Sequence, residues 1–334
     1  MSDPLPRLNA PDTPIHVRGD LESLRQALDA TLPRKRDTVR NLLIATWNIR
    51  EFGGLSERWT VSKTGTESPK RDWRGLWAIT EIVSRFDVVA VQEATGDLKA
   101  LRTLLKTLGD GWNLIMTDVT AGAAAGGERL AFLFDSRRVE LSGLACELVV
   151  PREWLDEVES DALRRQFART PYAVGFRAGS ETFVLVTLHV DYGSSPADRV
   201  PELRAIARWM ESWARRTTQW EQNFLVLGDF NIDRSGDPLY DAFTSTGLAP
   251  APAHVNLPRT IFSGGEPGPK DKYYDQIAWF ADPGRALINM TPKGGGIFDF
   301  RPHCYSEVGL TNLQLSFRLS DHFPLWIEFE VGPP

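Results

Sequence analysis

The sequence has little cysteine, no long apolar run and no excess of basic residues. Cys146 and Cys304 are its only cysteines. They are too few for the disulfide framework of a small secreted domain, so they either pair with each other or stay free. No apolar run is long enough to cross a bilayer. The polar stretch MSDPLPRLNAPDTPIHVRGD at the N-terminus has no apolar signal region, so we expect a soluble, cytoplasmic protein.

The charge balance excludes one way of binding nucleic acid. The formal net charge is −6, so a polyanion would have to be held by local Arg or Lys groups or by bound cations. Hydrophobic residues make up 42% of the 334 residues, which is enough for a large core. We find no repeat and no linker. We therefore predict one domain over residues 39–334, preceded by an N-terminal extension, residues 1–38, with one surface helix.

Helical spacing of the apolar residues predicts four long helices. In the extension, a loose tail to about residue 20 is followed by a helix over Asp20–Leu32, with Asp20 as its N-cap. The other three helices are predicted over residues 71–86, over residues 97–109 with Gly109 ending the helix, and over residues 197–216.

Apolar runs of strand length lie between these helices. Many are apolar on both faces, which suits sheets covered on each side. They alternate with helices without a strict βαβ order, which favours mixed sheets. The predicted strands are residues 41–49, 87–93, 130–134, 138–150, 172–178, 183–190, 223–230, 273–280 and 323–331.

Polar side chains stand at the ends of several predicted strands. In FLVLGDFNID, residues 224–233, alternate residues point to the same side, so Asp229 and Asn231 are delivered together at the end of the strand. Open α/β folds place their sites at such a rim. We therefore predict a site that collects Asn48, Glu93, His189, Asp229, Asn231, Asp275, Asp321 and His322.

These residue types suit hydrolysis of a phosphate ester. The carboxylates are hard oxygen ligands and, without cysteine beside them, favour Mg²⁺, Mn²⁺ or Ca²⁺ over a structural zinc. A divalent ion beside histidine suits attack of water on a phosphodiester. One His would take the proton from water while a carboxylate holds its tautomer, and the other would stabilise or protonate the leaving oxygen. Besides the metal-type carboxylates Glu93, Asp229 and Asp321, three acids are available to orient or tune these groups: Glu128, Asp233 and Asp275.

Six short motifs carry a resemblance to a known family. They are WNIR (47–50), VQE (91–93), LHVD (188–191), GDFN (228–231), YDQI (274–277) and SDH (320–322). In order and spacing they resemble the endonuclease/exonuclease/phosphatase superfamily, over about residues 40–331. Within it the chain most resembles the deoxyribonuclease I-like nucleases, through the segments WNIREFG, GERLAFLFDSRRV and FARTPYAVGF.

The resemblance implies both a fold and an activity. The fold would be α/β (α+β), a four-layer sandwich of two face-to-face mixed β-sheets flanked by helices. The activity would be that of a divalent-metal-dependent endonuclease that uses Mg²⁺, with Mn²⁺ fitting the same ligands. The substrate would be nucleic acid, with DNA favoured over RNA, and neither a membrane nor an obligatory protein partner is implied.

The resemblance also implies a role for each site residue. His189 with Glu128, and His322 with Asp275, would form two catalytic dyads. The same resemblance makes Glu93 the main metal ligand, with Asn48, Asp229 and Asp321 completing the metal and phosphate site. Asn231 would bind phosphate, and Arg169 would contact the scissile phosphate. Arg50 would contact the backbone or a groove of the nucleic acid.

Two segments depart from the nuclease pattern. In those nucleases a tyrosine shortly before the Glu-Arg pair packs in the minor groove of DNA. Here the stretch is TAGAAAGGER, with Gly126 at that position, and a Gly/Ala-rich loop cannot wedge between base pairs. Residues 50–75 form a long loop with six basic and four acidic residues plus Trp59 and Trp73. This loop is either a flap that contacts substrate or a plain surface insertion.

Two other functions compete with a nuclease. The superfamily also hosts phosphatases and phosphodiesterases that act on phosphorylated lipids, inositols or other small substrates. The match at Arg169 and the lack of an obvious membrane-inserting loop argue against a lipid substrate. A catalytically inactive binding scaffold is the third reading, and the presence of every histidine and metal-type carboxylate argues against it.

Overall fold

The computed structural model describes residues 13–35, 41–118, 127–148, 169–190, 192, 195–215, 223–263, 272–282 and 285–332. Gly126 and Asp191 of the LHVD motif lie outside this part of the chain. Within it, two mixed β-sheets face each other and helices pack on their outer faces. The predicted four-layer fold is confirmed.

The described strands are β1 (Asn41–Phe52), β2 (Val88–Ala94), β3 (Trp112–Met116), β4 (Arg129–Asp135), β5 (Glu140–Glu147), β6 (Tyr172–Ala178), β7 (Glu181–His189), β8 (Asn223–Asp229), β9 (Leu248–Pro250), β10 (Asp275–Asp282), β11 (Arg285–Ala286), β12 (Thr291–Ile297) and β13 (Leu325–Glu330). The first sheet has the order β12-β13-β1-β2-β4-β3. The second has the order β11-β10-β8-β7-β6-β5, with β9 paired to β10. In each sheet a parallel pair, β1 with β2 and β7 with β8, lies among antiparallel neighbours. The predicted mixed sheets are therefore observed.

The described α-helices are α1 (Ile15–Thr31), α2 (Trp73–Val83), α3 (Lys99–Leu108), α4 (Pro196–Arg215), α5 (Pro238–Thr244) and α6 (Asn312–Ser316). Helices α1 to α3 share a hydrophobic cluster with the outer face of the first sheet, and α4 and α5 share one with the outer face of the second. Asp72 caps α2 by accepting from the backbone N–H of Gly75. The predicted stop at Gly109 is also confirmed, since this residue follows α3 with φ +83°.

Alternation along the central strands explains why they are apolar on both faces. In β1, Leu43 and Ala45 pack toward the helices, whereas Leu42 and Ile44 pack between the two sheets. The same alternation occurs in β7 and β8 of the second sheet. A strand covered on both faces needs apolar residues at every position. The continuous runs in the sequence are therefore the mark of a sandwich with outer helices.

The prediction for the N-terminal helix was wrong at its start. Helix α1 begins at Ile15 with Pro14 as N-cap, so Asp20 lies inside the helix and the predicted loose tail is too long. The Asp20 carboxylate is buried and accepts hydrogen bonds from Arg74 Nε at 3.0 Å and Ser306 Oγ at 2.8 Å. Asp is common at N-caps, but here burial against a cationic partner determines its place.

Two expectations from composition can be compared with the structure. Cys146 and Cys304 form no disulfide bond, so the alternative in which they pair with each other is wrong. In the described part of the chain, no helix combines the length and the apolar character needed to cross a membrane.

His254 makes folding stability sensitive to acid. Its Nε2 bonds the carbonyl oxygen of Trp326 at 2.8 Å, and its buried Nδ1 has no partner among the described residues. Burial, and then the positive charge of Arg259, lower its pKa from 6.5 to about 3. Between these pH values the unfolded chain binds a proton that the folded chain excludes. The contribution of neutral His254 to the free energy of unfolding is therefore fully present above pH 6.5. It is lost as the pH falls, by up to about 1.4 kcal/mol per pH unit.

The variant His254→Gln is expected to flatten this pH dependence, because a carboxamide can still donate to Trp326 but does not titrate. Urea unfolding of both proteins between pH 7 and pH 4 measures the effect. Equal slopes of unfolding free energy against pH in the two proteins would show that another group controls the acid response.

Candidate active site

Strand register brings three predicted site residues side by side in the second sheet. His189 is the last residue of β7 and pairs with Asp229, the last residue of β8. Asp275, the first residue of β10, pairs with Asp229 from the other side. All three are almost fully buried. The centre of the site is therefore a carboxylate with a histidine on one side and a second carboxylate on the other.

Gly228 allows β8 to pass close to β7 just before Asp229. Its φ of +141° disfavours an L side chain, and a Cβ there would lie 2.1 Å from the carbonyl oxygen of Leu188. Only glycine fits this approach. The glycine of the GDFN motif is thus explained by the position of the carboxylate that follows it.

The first sheet contributes an amide between two carboxylates. Asn48 Nδ2 donates to Glu93 Oε1 at 2.9 Å and to Asp229 Oδ2 at 3.0 Å. Its Oδ1 is buried and has no hydrogen-bond partner in the described residues. A buried polar atom without a partner is rare in folded proteins. The arrangement leaves one neutral oxygen beside two carboxylates.

The structure brings the two predicted histidine–carboxylate pairs together across the two sheets. Glu128, just before β4 of the first sheet, has Oε2 3.2 Å from Nδ1 of His189 in the second, an ion-pair distance without hydrogen-bond geometry. His322, just before β13 of the first sheet, has Nδ1 2.6 Å from Oδ2 of Asp275 in the second. The Nε2 atoms of His189 and His322 lie 3.7 and 3.9 Å from the same atom, Asp229 Oδ2. Both imidazoles therefore face one buried carboxylate.

The buried histidine and carboxylates of the site shift one another's pKa values. Burial alone would lower the pKa of His322, but the carboxylates of Asp275, Asp229 and Asp321 outweigh it and raise that pKa well above its usual value. Burial likewise opposes ionisation of Asp229, but the neighbouring imidazoles of His322 and His189 keep its pKa below the usual value. For Asp275 burial prevails and its pKa is raised. Both shifts favour a protonated His322 beside an ionised Asp229.

Two site residues hold backbone conformations that non-glycine residues rarely adopt. Glu93 has φ +60° and Asn231 has φ +50°. Such strain persists where the surroundings fix it, and it concentrates at functional sites. Glu93 is fixed by the backbone N–H of Glu51, which donates to Oε2 at 2.8 Å. Asn231 is fixed through Nδ2, which donates to the carbonyl oxygen of Val190 at 2.6 Å, and through its own N–H, which donates to Asp229 Oδ1 at 2.9 Å.

The remaining predicted residues lie at the edge of this cluster. Arg169 forms an ion pair with Glu128, with Nε 2.6 Å from Oε2 and Nη2 donating to Oε1 at 3.3 Å. Its buried Nε and Nη1 have no hydrogen-bond partner in the described residues. Arg50 packs its guanidinium 3.9 Å from the ring centre of Phe317 and lies 3.6 Å from Asp321 Oδ2. Asp321 is thus paired with an arginine, a contact that the sequence did not indicate.

Ser320 is a positioning residue that the sequence analysis did not select. Its hydroxyl donates to the carbonyl oxygen of Asn48 at 2.6 Å and accepts from the backbone N–H of His322 at 2.9 Å. It therefore ties the Asn48 end of β1 to the histidine loop. Its place in the SDH motif was the signal available.

A second possible metal group shares only Asp229 with the predicted ligand set. It consists of Asp229, Asp275 and His322, whose ligand atoms lie within 4.8 Å of one another.

Comparison with known families accounts for these motifs. A sequence model described as the endonuclease/exonuclease/phosphatase family matches residues 45–322, a range that contains every predicted site residue. The chain belongs to the endonuclease/exonuclease/phosphatase family. Members of this family are hydrolases that act on phosphoester bonds.

A deoxyribonuclease is similar to this chain in sequence. A deoxyribonuclease from Thioalkalivibrio sp. (strain K90mix) is 28% identical over 304 residues, which is 87% of this chain and 72% of the relative. The similarity therefore extends over most of both chains.

Solved structures of family members share the fold at low sequence identity. A family protein from Bacteroides thetaiotaomicron superposes with a TM-score of 0.56 at 19% identity, covering 87% of this chain and 98% of that chain. A mannosyl-6-phosphatase from Bacteroides thetaiotaomicron VPI-5482 gives a TM-score of 0.55 at 18% identity, covering 86% and 99%. Both likenesses show the family fold.

Proposed function

We propose that this family member is a divalent-metal-dependent phosphodiesterase that cuts DNA internally. The observation that carries the proposal is the convergence of both histidine Nε2 atoms on Asp229 Oδ2, at 3.7 and 3.9 Å, with a carboxylate behind each imidazole. Two histidines that face one point suit a reaction in which a proton leaves water and another reaches the leaving oxygen. The deoxyribonuclease relative supports DNA over RNA as the substrate.

The donor set beside Asn48 fits a metal ion. The unpaired, buried Oδ1 of Asn48 lies in a side chain that bridges Glu93 and Asp229. Hard oxygen atoms with a net negative charge suit Mg²⁺, and Mn²⁺ fits the same ligands. Glu93, Asn48 and Asp229 would hold the ion, with Asp321 completing the site. When bound, a divalent ion supplies positive charge that stabilises phosphate oxygens during the displacement.

The phosphate would be held by donors at the edge of the site. Arg169 keeps two buried N–H groups, Nε and Nη1, without a hydrogen-bond partner in the described residues, while its Nη2 donates to Glu128 Oε1 at 3.3 Å. A guanidinium held in this way is oriented for a phosphate oxygen. Asn231 would add a second phosphate contact beside Asp229, as its motif implies. Arg50 would lie along the nucleic acid backbone, on the side of Phe317.

The two histidines would act differently. Glu128 at 3.2 Å from Nδ1 would hold His189 in the tautomer whose Nε2 accepts a proton from the attacking water. The raised pKa of His322, caused by Asp275, Asp229 and Asp321 against the effect of burial, would let Nε2 donate to the leaving oxygen. Asp229 would stay ionised between them.

A plasmid-nicking assay tests the proposal. Supercoiled DNA is incubated with the wild type and Mg²⁺, with the wild type and EDTA, and with the His189→Ala variant and Mg²⁺. We expect relaxation only in the first reaction. A folded, metal-binding wild type that does not nick the plasmid contradicts DNA endonuclease activity. Assays would then turn to RNA, to single strands, and to phosphorylated lipids and inositols.

Metal titration distinguishes the two possible ligand groups. Glu93 belongs to the proposed set only, whereas His322 belongs only to the group with Asp275. We expect Glu93→Gln to weaken Mg²⁺ binding by at least about tenfold in calorimetric titration, while His322→Gln leaves it near the wild-type value. The opposite pattern would assign the ion to Asp229, Asp275 and His322.

A further inference from the structure

A row of aromatic rings leads from His322 to the protein surface. The ring of Tyr274 is stacked on the imidazole of His322, with centroids 5.7 Å apart and planes at 27°. Tyr192 follows, 6.4 Å from Tyr274 and nearly perpendicular to it. We infer that Tyr192 is a stacking surface for an unpaired nucleobase, so that single-stranded nucleic acid is the preferred substrate. This inference rests on the proposed function.

Tyr192 is both exposed and supported. Its side chain is 53% exposed, and a single exposed ring is in itself ordinary. The difference here is the buried guanidinium of Arg199, which lies 4.7 Å from the centre of the ring. Arg199 is held in turn by the carbonyl oxygen of Asn231 and by Asp233 Oδ2, the latter at 2.9 Å. One side of the ring therefore rests on a fixed cation while half of its surface stays open.

The supports of this ring belong to the same loop as the phosphate site. Asn231 and Asp233 follow Asp229 directly along the chain, and Arg199 contacts both. Lys272 also pairs with Asp233 and lies 5.8 Å from the centre of the Tyr274 ring. Tyr192 is thus joined to the loop after Asp229 through Arg199, and to His322 through Tyr274. A base attached to a phosphate bound beside Asn231 would have this ring on the same side of the site.

The aromatic ring of Tyr192 favours substrates that can stack on it. Aromatic side chains stack with any base, because every base has a π face, so this contact is tolerant of sequence. A base inside a duplex is already stacked on both faces, so it must leave the helix before it can stack on a side chain. Phosphorylated sugars and inositols have no planar face to offer. Tyr192 therefore favours an unpaired nucleotide over both duplex DNA and small phosphate esters.

Two oligomers with the same number of phosphates test the inference. One is oligothymidylate and the other is an abasic chain of the same length. We expect the wild type to show a kcat/KM about tenfold higher on oligothymidylate. In Tyr192→Ala this ratio is expected to fall toward one, whereas Tyr192→Phe, which keeps the ring, should retain it. Circular dichroism checks that the variants fold, and plasmid nicking is assayed in parallel.

The outcomes separate this inference from the proposed function. A wild type that nicks plasmid but cleaves the two oligomers equally, or cleaves neither, retains the nuclease and overturns the stacking. An unchanged ratio in Tyr192→Ala also overturns it, because the base preference would then arise elsewhere. A wild type that cleaves neither plasmid nor oligomer overturns both proposals.

Discussion

Replacing His189 with alanine is expected to lower turnover on DNA by about a hundredfold or more, while the fold is kept. The imidazole is the proposed acceptor of the proton of water, and its Nε2 lies 3.7 Å from Asp229 Oδ2. The fold should survive, because Glu128, the partner of Nδ1, keeps its ion pair with Arg169. Steady-state cleavage of plasmid, with circular dichroism of the same sample, measures both effects.

Replacing Asp229 is expected to lower turnover on DNA as strongly as replacing His189. Two different substitutions separate the effect of its charge from that of its side-chain shape. Asp229→Asn keeps the volume of a side chain that is 2% exposed but removes its negative charge, whereas Asp229→Ala removes both. Both variants should lose turnover to at least the extent of His189→Ala. The matched control is His303→Ala, since His303 bonds Ser23 far from the site. A variant of His189 or Asp229 with a near-wild-type rate would remove that residue from the mechanism.

The second large effect is on stability, at Arg74. This guanidinium is 2% exposed and contacts Asp20 in α1 and Glu307. Removing it in Arg74→Met leaves the Asp20 carboxylate buried without its cation. Breaking a buried ion pair in this way costs about 3–5 kcal/mol. The contact with Glu307, whose side chain is 45% exposed, should add little. Urea unfolding with circular dichroism measures the loss.

A double variant identifies the source of that loss. Asp20→Asn in the Arg74→Met background removes the uncompensated charge, so it should recover part of the stability. Protection of the α1 amides in hydrogen exchange should fall in the single variant and return in the double variant. A loss below about 1 kcal/mol in Arg74→Met would mean that α1 is held mainly by its leucines.

The sequence predicted the central strands better than the edge strands. Strands β1 and β8 are visible because a strand covered on both faces must be apolar throughout. Strand β12 was not predicted, because its sequence TPKGGGI is rich in glycine, and it is an edge strand held by pairing with β13. Strand β3 is short and partly exposed, so its sequence WNLIM has no clear period. The start of α1 was missed because the burial of Asp20 depends on Arg74, far along the chain.

For the site, the motifs predicted which residues meet but not how they are held. His189 and Asp229 were chosen because each stands near the end of a predicted strand, and Asp275 because it lies inside the predicted strand YYDQIAWF; in the structure Asp275 begins β10, and strand register brings the three together. Their catalytic roles stay predictions. The support of Tyr192 by Arg199 joins residues with no common motif, so only the folded chain reveals it. The pairing of Arg50 with Asp321 likewise depends on the approach of β1 to the loop before β13.

The contacts at the centre of the site cross from one sheet to the other: Asn48 to Asp229, Glu128 to His189, and His322 to Asp275. The proposed reaction therefore needs residues of both sheets. A small displacement of one sheet relative to the other would misalign both histidine–carboxylate pairs at once. Loss of activity should thus be an early reporter of loosening between the sheets, ahead of any change in secondary structure.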